Sequence, residues 1–256
     1  MGKILVLANQ KGGTAKTTSA VHLAAALRLG GRKVLLVDFD PQGDASAYMG
    51  YAEGDGVSIN EIMQELVSGR NVSVRNIIRT SEKNGGIDYI PADIELAGAE
   101  FYLAPVMARE TVLKRLLSQV VDDYDYIVID CQPSLGILVL NALAAADGVV
   151  IPAQTQEFSK KALKAITNII EQVQKGINPN LKVLGILPTM ADNTAMTRDT
   201  RKIYEEIYGD KVFPVSISRS VTAVYSSRDR KALCFKENSK IGNEYKAFAE
   251  EVERRI

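Results

Sequence analysis

Residues 3–18 read KILVLANQKGGTAKTT and join a short apolar run to a glycine-rich loop and the beginning of a helix. The apolar run 3–8 is typical of a buried strand. Residues 17–29 carry alanine and leucine at helical spacing, and the pair Gly30-Gly31 predicts the end of that helix. A glycine loop between a strand and a helix presents backbone N–H groups and a helix N-terminus to one point, which makes a receptor for phosphate.

The residues of this loop suit a nucleotide. Gly12 and Gly13 let the backbone approach phosphates closely. Lys16 would reach the β- and γ-phosphates, and Thr17 would offer its hydroxyl to Mg²⁺. The strict pattern G-x-x-x-x-G-K-[ST] is not met, because glutamine and alanine stand at positions 10 and 15. The predicted ATP-binding loop residues are Lys11, Gly12, Gly13, Thr14, Ala15, Lys16, Thr17 and Thr18.

Strand-length apolar runs alternate with helical patterns along the rest of the chain. The runs occupy residues 33–37, 87–91, 126–129, 148–151 and 183–187, and the helical patterns occupy 111–121, 135–146, 158–174 and 197–208. Continuous apolar strands that alternate with helices predict an α/β fold with a mostly parallel sheet and helices on both faces. Right-handed crossovers make such a sheet doubly wound, with ligands at the carboxyl ends of its strands. Because the sequence contains no repeat and no linker, we expect one domain over residues 1–256.

Acidic motifs follow two of the predicted strands. DFDPQG at 38–43 comes after the second strand, and DCQPS at 130–134 comes after the fourth. Both motifs would lie at the edge of the sheet that carries the glycine loop. We expect Asp130 to be a Mg²⁺ carboxylate, directly or through water, and Asp40 to orient a water molecule on the γ-phosphate.

The composition excludes several classes of protein. Lys and Arg number 31 and Asp and Glu number 31, and the resulting zero net charge argues against a uniformly basic nucleic-acid binder. Two cysteines cannot form a disulfide framework or a four-cysteine metal site, and their number suits a reducing cytosol. No apolar run approaches the ~18 residues of a membrane span.

The neutral average conceals a basic segment. Residues 211–240 contain seven Lys or Arg and two Asp or Glu, a net charge of +5, which leaves −5 for the other residues. Composition alone leaves two interpretations open, namely a solvated surface and an electrostatic footprint for phosphate backbones.

The motifs KGGTAKTT, DFDPQG and YDYIVIDCQPSLG resemble those of the ParA/Soj family of partition ATPases, which have a deviant Walker A box. The resemblance covers nearly the whole chain and implies a P-loop NTPase fold with ATP and Mg²⁺ as ligands. It implies a weak ATPase and an ATP-dependent sandwich homodimer in which Lys11 contacts phosphates across the interface. It also implies nonspecific DNA binding in the ATP state, release by a ParB-like centromere-binding protein, no membrane binding, and a cytoplasmic, nucleoid-associated location.

Matching positions carry the family's catalytic roles into this sequence. Lys11 and Lys16 correspond to the two lysines of the loop, and Asp40 to the residue that serves the hydrolytic water. Thr17 and Asp130 correspond to the positions that serve Mg²⁺. The family holds adenine near the positions of Met190, Ile217 and Ser218.

The basic segment contains the counterpart of a DNA-contacting arginine of the family, Arg219. We hypothesise a basic strip that contacts DNA phosphates without reading bases, formed by Arg219, Arg228, Arg230, Lys231 and Lys236. Gln154 and Glu157 resemble interface positions of the family. The sequence departs from the family pattern at Ala15, usually glycine, at Gln132 and Ser218, usually proline, and at Thr222, usually arginine.

Three other classes of protein are alternatives to a DNA partition ATPase. A redox ATPase of the nitrogenase iron protein type needs two cysteines close to its dimer axis, whereas Cys131 and Cys234 lie 103 residues apart. A membrane-cycling regulator of the MinD type needs a basic, apolar C-terminal helix, but residues 243–256 contain four glutamates and are expected to pack on the sheet. A ParA-like positioning ATPase for a cargo other than DNA stays open, because the partner of such a protein binds a surface and not a motif.

Overall fold

The computed structural model describes residues 2–52, 54–155 and 160–256 and contains a seven-stranded sheet. Its strands are β1 Lys3–Leu7, β2 Val34–Phe39, β3 Arg79–Ser81, β4 Ile87–Ile90, β5 Tyr126–Cys131, β6 Gly148–Gln154 and β7 Lys182–Thr189. The strand order is β3-β4-β2-β5-β1-β6-β7, and only the β3–β4 pair among these neighbours is antiparallel. The chain winds from β1 to one side through β2 and β4 and later to the other side through β6 and β7. The loop after β1 therefore lies where doubly wound sheets bind ligands.

Helices cover both faces of this sheet. In the described ranges they are α1 Lys16–Leu29, α2 Asp44–Met49, α3 Ile59–Val67, α4 Ala99–Leu103, α5 Val112–Leu117, α6 Ile137–Ala145, α7 Lys160–Gly176, α8 Ala195–Tyr208, α9 Val221–Asp229 and α10 Lys240–Arg255. The predicted doubly wound, mostly parallel architecture is confirmed. None of the helices in the described ranges has the length and apolar character required to cross a bilayer.

Buried apolar side chains form two clusters, one on each face of the sheet. Along β1, Ile4 and Val6 belong to one cluster and Leu5 and Leu7 to the other, because successive strand residues point to opposite faces. Side chains of α5, α6 and α7 complete the first cluster, and side chains of α1 and α10 complete the second. Burial on both faces explains why the strands are continuous apolar runs in the sequence.

The structure departs from the predicted elements at several points. The antiparallel edge strand β3 was not predicted, since its sequence RTS is short and polar. The helix predicted over 111–121 ends at Leu117 in α5, because the chain then continues through tight turns. The helix predicted over 158–174 is α7, and residues 158 and 159 lie outside the described residues, as does Glu157. The C-terminal helix α10 is buried against α1 through Tyr245 and Phe248.

Candidate active site

The loop between β1 and α1 contains two residues with positive φ. Gly13 has φ 72°, and Ala15 has φ 61° and ψ 32°, both in the left-handed region. Glycine adopts this region freely, whereas an L-residue does so at a cost of about 1–2 kcal/mol. Ala15 is also the N-cap of α1. The alanine thus keeps the loop shape but stores backbone strain where the loop meets the helix N-terminus.

Lys16 begins α1, and its side chain turns back into the loop. Its Nζ donates a hydrogen bond to the carbonyl oxygen of Lys11 at 3.2 Å. Burial lowers the pKa of Lys16, while the nearby acidic groups, Asp130 first among them and Asp40 more weakly, oppose that shift. An ammonium group removed from bulk water interacts more strongly with a neighbouring anion. The partly desolvated ammonium group of Lys16 would therefore interact strongly with a phosphate in the loop.

Asp38 anchors the motif DFDPQG and is paired with Asp130 in the β2–β5 register. Its carboxylate accepts the Ser46 N–H at 2.7 Å and the Ser46 hydroxyl at 2.6 Å, and it also accepts the Asp40 N–H at 3.2 Å. Burial raises the pKa of Asp38 to about 7, although these hydrogen bonds favour the charged form. Asp38 thus fixes the beginning of α2 and brings a second buried carboxyl close to Asp130.

Asp130 is fully buried and has the properties of a cation ligand. Burial first, and then the neighbouring Asp38, raise the pKa of Asp130 well above its usual range. Neither of its carboxyl oxygens has a hydrogen-bond partner within residues 2–52, 54–155 and 160–256. The Thr17 hydroxyl nevertheless lies close enough to favour the carboxylate form. A buried carboxyl without hydrogen bonds is costly, and a bound cation would remove that cost.

The residues present fit Mg²⁺ that is shared with a phosphate. Mg²⁺ is usually bound through one or two protein ligands together with phosphate oxygens and water. In the part of the chain that the structure describes, no group of three or more His, Cys, Asp or Glu could hold a metal on its own. Thr17 and Asp130 would be the smaller ligand set of the kind that a metal–nucleotide complex uses.

Asp40 lies at the end of the same strand as Asp38 and is almost completely buried. Its Oδ1 accepts the Gln42 N–H at 3.0 Å. Burial raises the pKa of Asp40, and the charge of Lys16 opposes the increase. Lys16, Asp40 and Asp130 therefore belong to one charge cluster at the carboxyl edge of the sheet, as their positions in the sequence predicted.

A cavity of about 770 Å³ lies next to the phosphate loop. Ala15 and Thr18 line it from the loop side, and the three residues expected near adenine, Met190, Ile217 and Ser218, line it as well. The segments after β7 and before α9 meet there, since the Ala191 N–H donates to the Ile217 carbonyl at 3.0 Å. The volume lies within the roughly 300–1,000 Å³ of small-ligand sites. The structure thus places the residues predicted to contact the base beside those predicted to contact the phosphates.

Ser218, where the family has proline, forms contacts that a proline could not. Its N–H donates to Glu244 Oε2 at 2.8 Å, and its hydroxyl donates to Glu244 Oε1 at 2.5 Å. Glu244 belongs to α10, so this pair fixes one wall of the cavity to the C-terminal helix. Two hydrogen bonds to Glu244 thus restrain the backbone at Ser218, where the ring of a proline would otherwise restrain it.

The five residues of the basic strip are all exposed. Arg219 precedes α9 and shares a cleft of about 310 Å³ with Lys236 and with the adjacent Lys240. The other three members of the strip lie at the opposite end of α9: Arg228, Arg230 and Lys231. A nine-residue helix is about 13 Å long, so Arg219 is separated from the other three residues by about that distance along the axis of α9.

His22 connects α1 to the basic segment. Its Nδ1 lies 2.7 Å from the Thr18 carbonyl oxygen, and its Nε2 accepts the Leu233 N–H at 3.1 Å. The ring stacks on Tyr245 with a centroid distance of 4.6 Å. Burial lowers the pKa of His22 to about 4, so the ring is neutral at pH 7 with its proton on Nδ1. This histidine is a structural link between the helix of the phosphate loop and the segment that carries the basic strip.

Three polar side chains contact the phosphate loop although the sequence did not predict these contacts; Gln154, one of the three, was expected only at the interface. Asn9 accepts the Lys11 N–H at 3.1 Å. Gln154 and Thr189 donate hydrogen bonds to loop carbonyls. Each of these three residues ends or follows a buried strand, which is the same signal that pointed to Asp130. Without a charge or a motif around them, that signal alone did not distinguish them.

A glycine-rich loop between a central strand and a helix, with a buried lysine and a carboxylate at the next strand end, defines a P-loop NTPase. A family model described as an AAA domain, AAA_31, matches residues 2–183. The chain is 44% identical to the chromosome-partitioning ATPase Soj of Treponema pallidum, over 86% of this chain and 85% of that protein. It is 42% identical to the sporulation initiation inhibitor protein Soj of Bacillus subtilis, over 86% of each. The chain belongs to the AAA domain family and, within it, to the ParA/Soj family of partition ATPases.

Solved structures with the same fold contain nucleotide. A Mycobacterium smegmatis protein described as cobyrinic acid a,c-diamide synthase, with bound ATP analogue and magnesium, is 36% identical with a TM-score of 0.88. The match covers 99% of this chain and 95% of that one. A putative plasmid partition protein of Borrelia burgdorferi bound to AMPPNP is 26% identical with a TM-score of 0.84, over 100% of both chains. These relatives hold an ATP analogue on the fold described above, and the first also holds magnesium.

Proposed function

We propose that this protein is a DNA partition ATPase whose ATP-bound homodimer binds DNA and is released when ATP is hydrolysed. The observation that carries the proposal is the cluster of Lys16, Asp40 and Asp130 beside the cavity at the carboxyl edge of the sheet. Lys16 and the loop would bind the β- and γ-phosphates, Thr17 and Asp130 would hold Mg²⁺, and Asp40 would orient the water. When bound, the metal would neutralise phosphate charge. Residues 1–256 would act as one domain.

Slow basal hydrolysis would follow from the hydrogen bonds that Lys16 and Asp40 make within the protein. The Lys16 ammonium is bound to the Lys11 carbonyl, and one Asp40 oxygen is bound to the Gln42 N–H. Both groups have to leave these partners before they can act on a γ-phosphate and a water. Dimer closure, with Lys11 reaching the phosphates of the second protomer, and a ParB-like partner would drive that rearrangement.

DNA binding would depend on assembly. Each protomer carries five strip residues on an otherwise acidic chain, so one strip alone would bind phosphate backbones weakly. An ATP-dependent dimer presents two strips at once, and the second contact then occurs at high effective concentration. ATP would thereby control DNA affinity through geometry without a change in the strip itself.

The test is retention of plasmid DNA by the protein with Mg²⁺ and a non-hydrolysable ATP analogue, at salt concentrations from roughly 50 to 300 mM. Affinity should fall steeply with salt, and Arg219→Ala with Arg230→Ala should lower the log–log slope by about 2 for one protomer or about 4 for both. The control replaces two exposed arginines elsewhere, Arg70 and Arg115, with alanine. Retention that ignores salt, or equal losses in both double variants, would disprove the DNA-binding proposal.

Two other activities give different outcomes in the same experiments. A positioning ATPase for another cargo would dimerise with ATP but would not retain DNA. A cobyrinic acid a,c-diamide synthase is favoured only by the 36% identity to the Mycobacterium smegmatis structure, which is lower than the 44% identity to Soj. That activity would consume ATP only when cobyrinic acid is supplied.

A further inference from the structure

Two polar side chains outside the loop motif hold the phosphate loop from the neighbouring strands. Thr189, the last residue of β7, donates its hydroxyl hydrogen to the Thr14 carbonyl oxygen at 3.1 Å. Gln154, the last residue of β6, donates from Nε2 to the Gly13 carbonyl oxygen at 2.5 Å. Thr189 is completely buried, so water does not compete for its hydroxyl.

The two hydrogen bonds fix two successive peptide planes of the loop. In a planar trans peptide the carbonyl of one residue and the N–H of the next point in opposite directions. Holding the carbonyls of Gly13 and Thr14 toward β6 and β7 therefore turns the N–H groups of Thr14 and Ala15 away from those strands. The Ala15 N–H has no acceptor within residues 2–52, 54–155 and 160–256. An anion in the loop could accept its hydrogen bond.

These hydrogen bonds support the backbone conformation of the alanine at position 15. Its φ of 61° is disfavoured for any residue with a Cβ, and such a conformation persists only where the surrounding structure enforces it. The Thr189 hydroxyl fixes the peptide plane that immediately precedes Ala15. A glycine at position 15 would adopt the same conformation without this support.

We propose that Thr189, assisted by Gln154, is a positioning residue that holds Ala15 in the left-handed conformation and so presets the loop for phosphate before a nucleotide arrives. The proposal deepens the proposed ATP-binding function and rests on it. Thr189 acts through the backbone of the loop and not by touching the reacting atoms. Its importance is expected to depend on the residue at position 15, which a purely structural role would not require.

The first test uses the nucleotide-free protein. The ¹³Cα and ¹³Cβ chemical shifts of Ala15 report its backbone conformation, and Thr189→Val should move them toward averaged values whereas Thr189→Ser, which keeps the hydroxyl, should not. Thr155→Val is the matched control, because Thr155 is equally buried and donates its hydroxyl to the Thr189 carbonyl at 3.2 Å instead of to the loop. Unchanged Ala15 shifts in Thr189→Val, or an equal change in Thr155→Val, would overturn the proposal.

The second test measures the affinity for a non-hydrolysable ATP analogue with Mg²⁺. Thr189→Val should weaken binding about fivefold, and the loss should shrink to less than about twofold when Ala15→Gly is also present. An equal loss in both backgrounds would contradict the link to Ala15. Lys16→Ala distinguishes a failure of the positioning role from a failure of the proposed function. If Lys16→Ala binds the analogue as well as the wild type does, the proposed function is wrong. The Ala15 shifts then still decide the positioning role.

Discussion

Replacing Asp130 with asparagine should stabilise the nucleotide-free protein and at the same time weaken its binding of Mg²⁺ and ATP. The Asp130 carboxyl is fully buried, has no hydrogen-bond partner in the part of the chain that the structure describes, and faces the buried Asp38. A buried polar group without partners costs about 1–3 kcal/mol, and a charged one costs more. Asparagine is also a buried polar group, but it carries no charge and does not repel Asp38. The free energy of unfolding should therefore rise near neutral pH by the extra cost of the charged group, on the order of 1–3 kcal/mol.

Thermal unfolding without nucleotide measures this gain. For a chain of this size each kcal/mol corresponds to about 2–4 °C in Tm, so the midpoint should rise by several degrees. The increase in Tm on adding Mg²⁺ and an ATP analogue should be large in the wild type and small in the variant, because ligand binding stabilises only the state that binds it. Asp210→Asn, at an exposed carboxyl, is the control and should change neither quantity.

The pH dependence of the free energy of unfolding is an independent test of the destabilising effect of the Asp130 charge. The pKa of Asp130 is raised in the folded state, so the folded protein binds more protons than the unfolded chain above about pH 4. The stability of the wild type relative to Asp130→Asn is therefore greatest near pH 4 and is lost as the pH rises. A variant that is less stable than the wild type at neutral pH without ligand, or a stability gap that narrows as the pH rises, would refute this reasoning.

Three further substitutions test other parts of the site. Ala15→Gly should raise the rate of phosphate release. The free energy of unfolding should change by less than about 1 kcal/mol, because the relief of strain is offset by the backbone entropy of glycine. A slower rate of phosphate release would contradict the strain argument. Asp40→Ala should retain the ATP analogue but lose phosphate release, whereas the exposed Asp44→Ala should release phosphate normally; normal release by Asp40→Ala would remove its role in orienting water. Because the pKa of His22 is lowered to about 4, the wild type should lose roughly 3 kcal/mol relative to His22→Gln as the pH falls from about 7 to about 4, measured by urea unfolding. A constant difference across that range would show that the ring is not held neutral.

The phosphate loop and the two acidic strand ends could be predicted because their signals are local. The eleven residues 33–43, KVLLV followed by DFDPQG, contain both the buried strand and the acidic side chains at its end. The ends of β2 and β5 were less accurate. The first apolar run stops at Val37, but β2 continues through Phe39. The second run stops at Ile129, whereas β5 continues through Asp130 and Cys131. Those two residues stay in the sheet because Asp38 and Phe39 pair with them across the register.

The contacts that support the loop could not be predicted, because they join residues distant in sequence. Thr189 and Thr14 are 175 residues apart, and His22 and Leu233 are 211 apart. No spacing rule connects such pairs, and only the strand order β5-β1-β6-β7 brings the end of β7 close to the loop. Likewise, Asp38 lies near the end of β2 and Asp40 directly follows that strand. Only the position of Ser46 in α2 makes Asp38 the residue that anchors the motif.

Size-exclusion chromatography with Mg²⁺ tests the central claim most directly, with ADP in one run and a non-hydrolysable ATP analogue in the other, each with and without plasmid DNA. The protein should elute as a monomer with ADP, as a dimer with the analogue, and together with DNA only in the presence of the analogue. Lys16→Ala should remain a monomer in every run. A wild-type protein that stays monomeric with the analogue and does not elute with DNA would contradict the account.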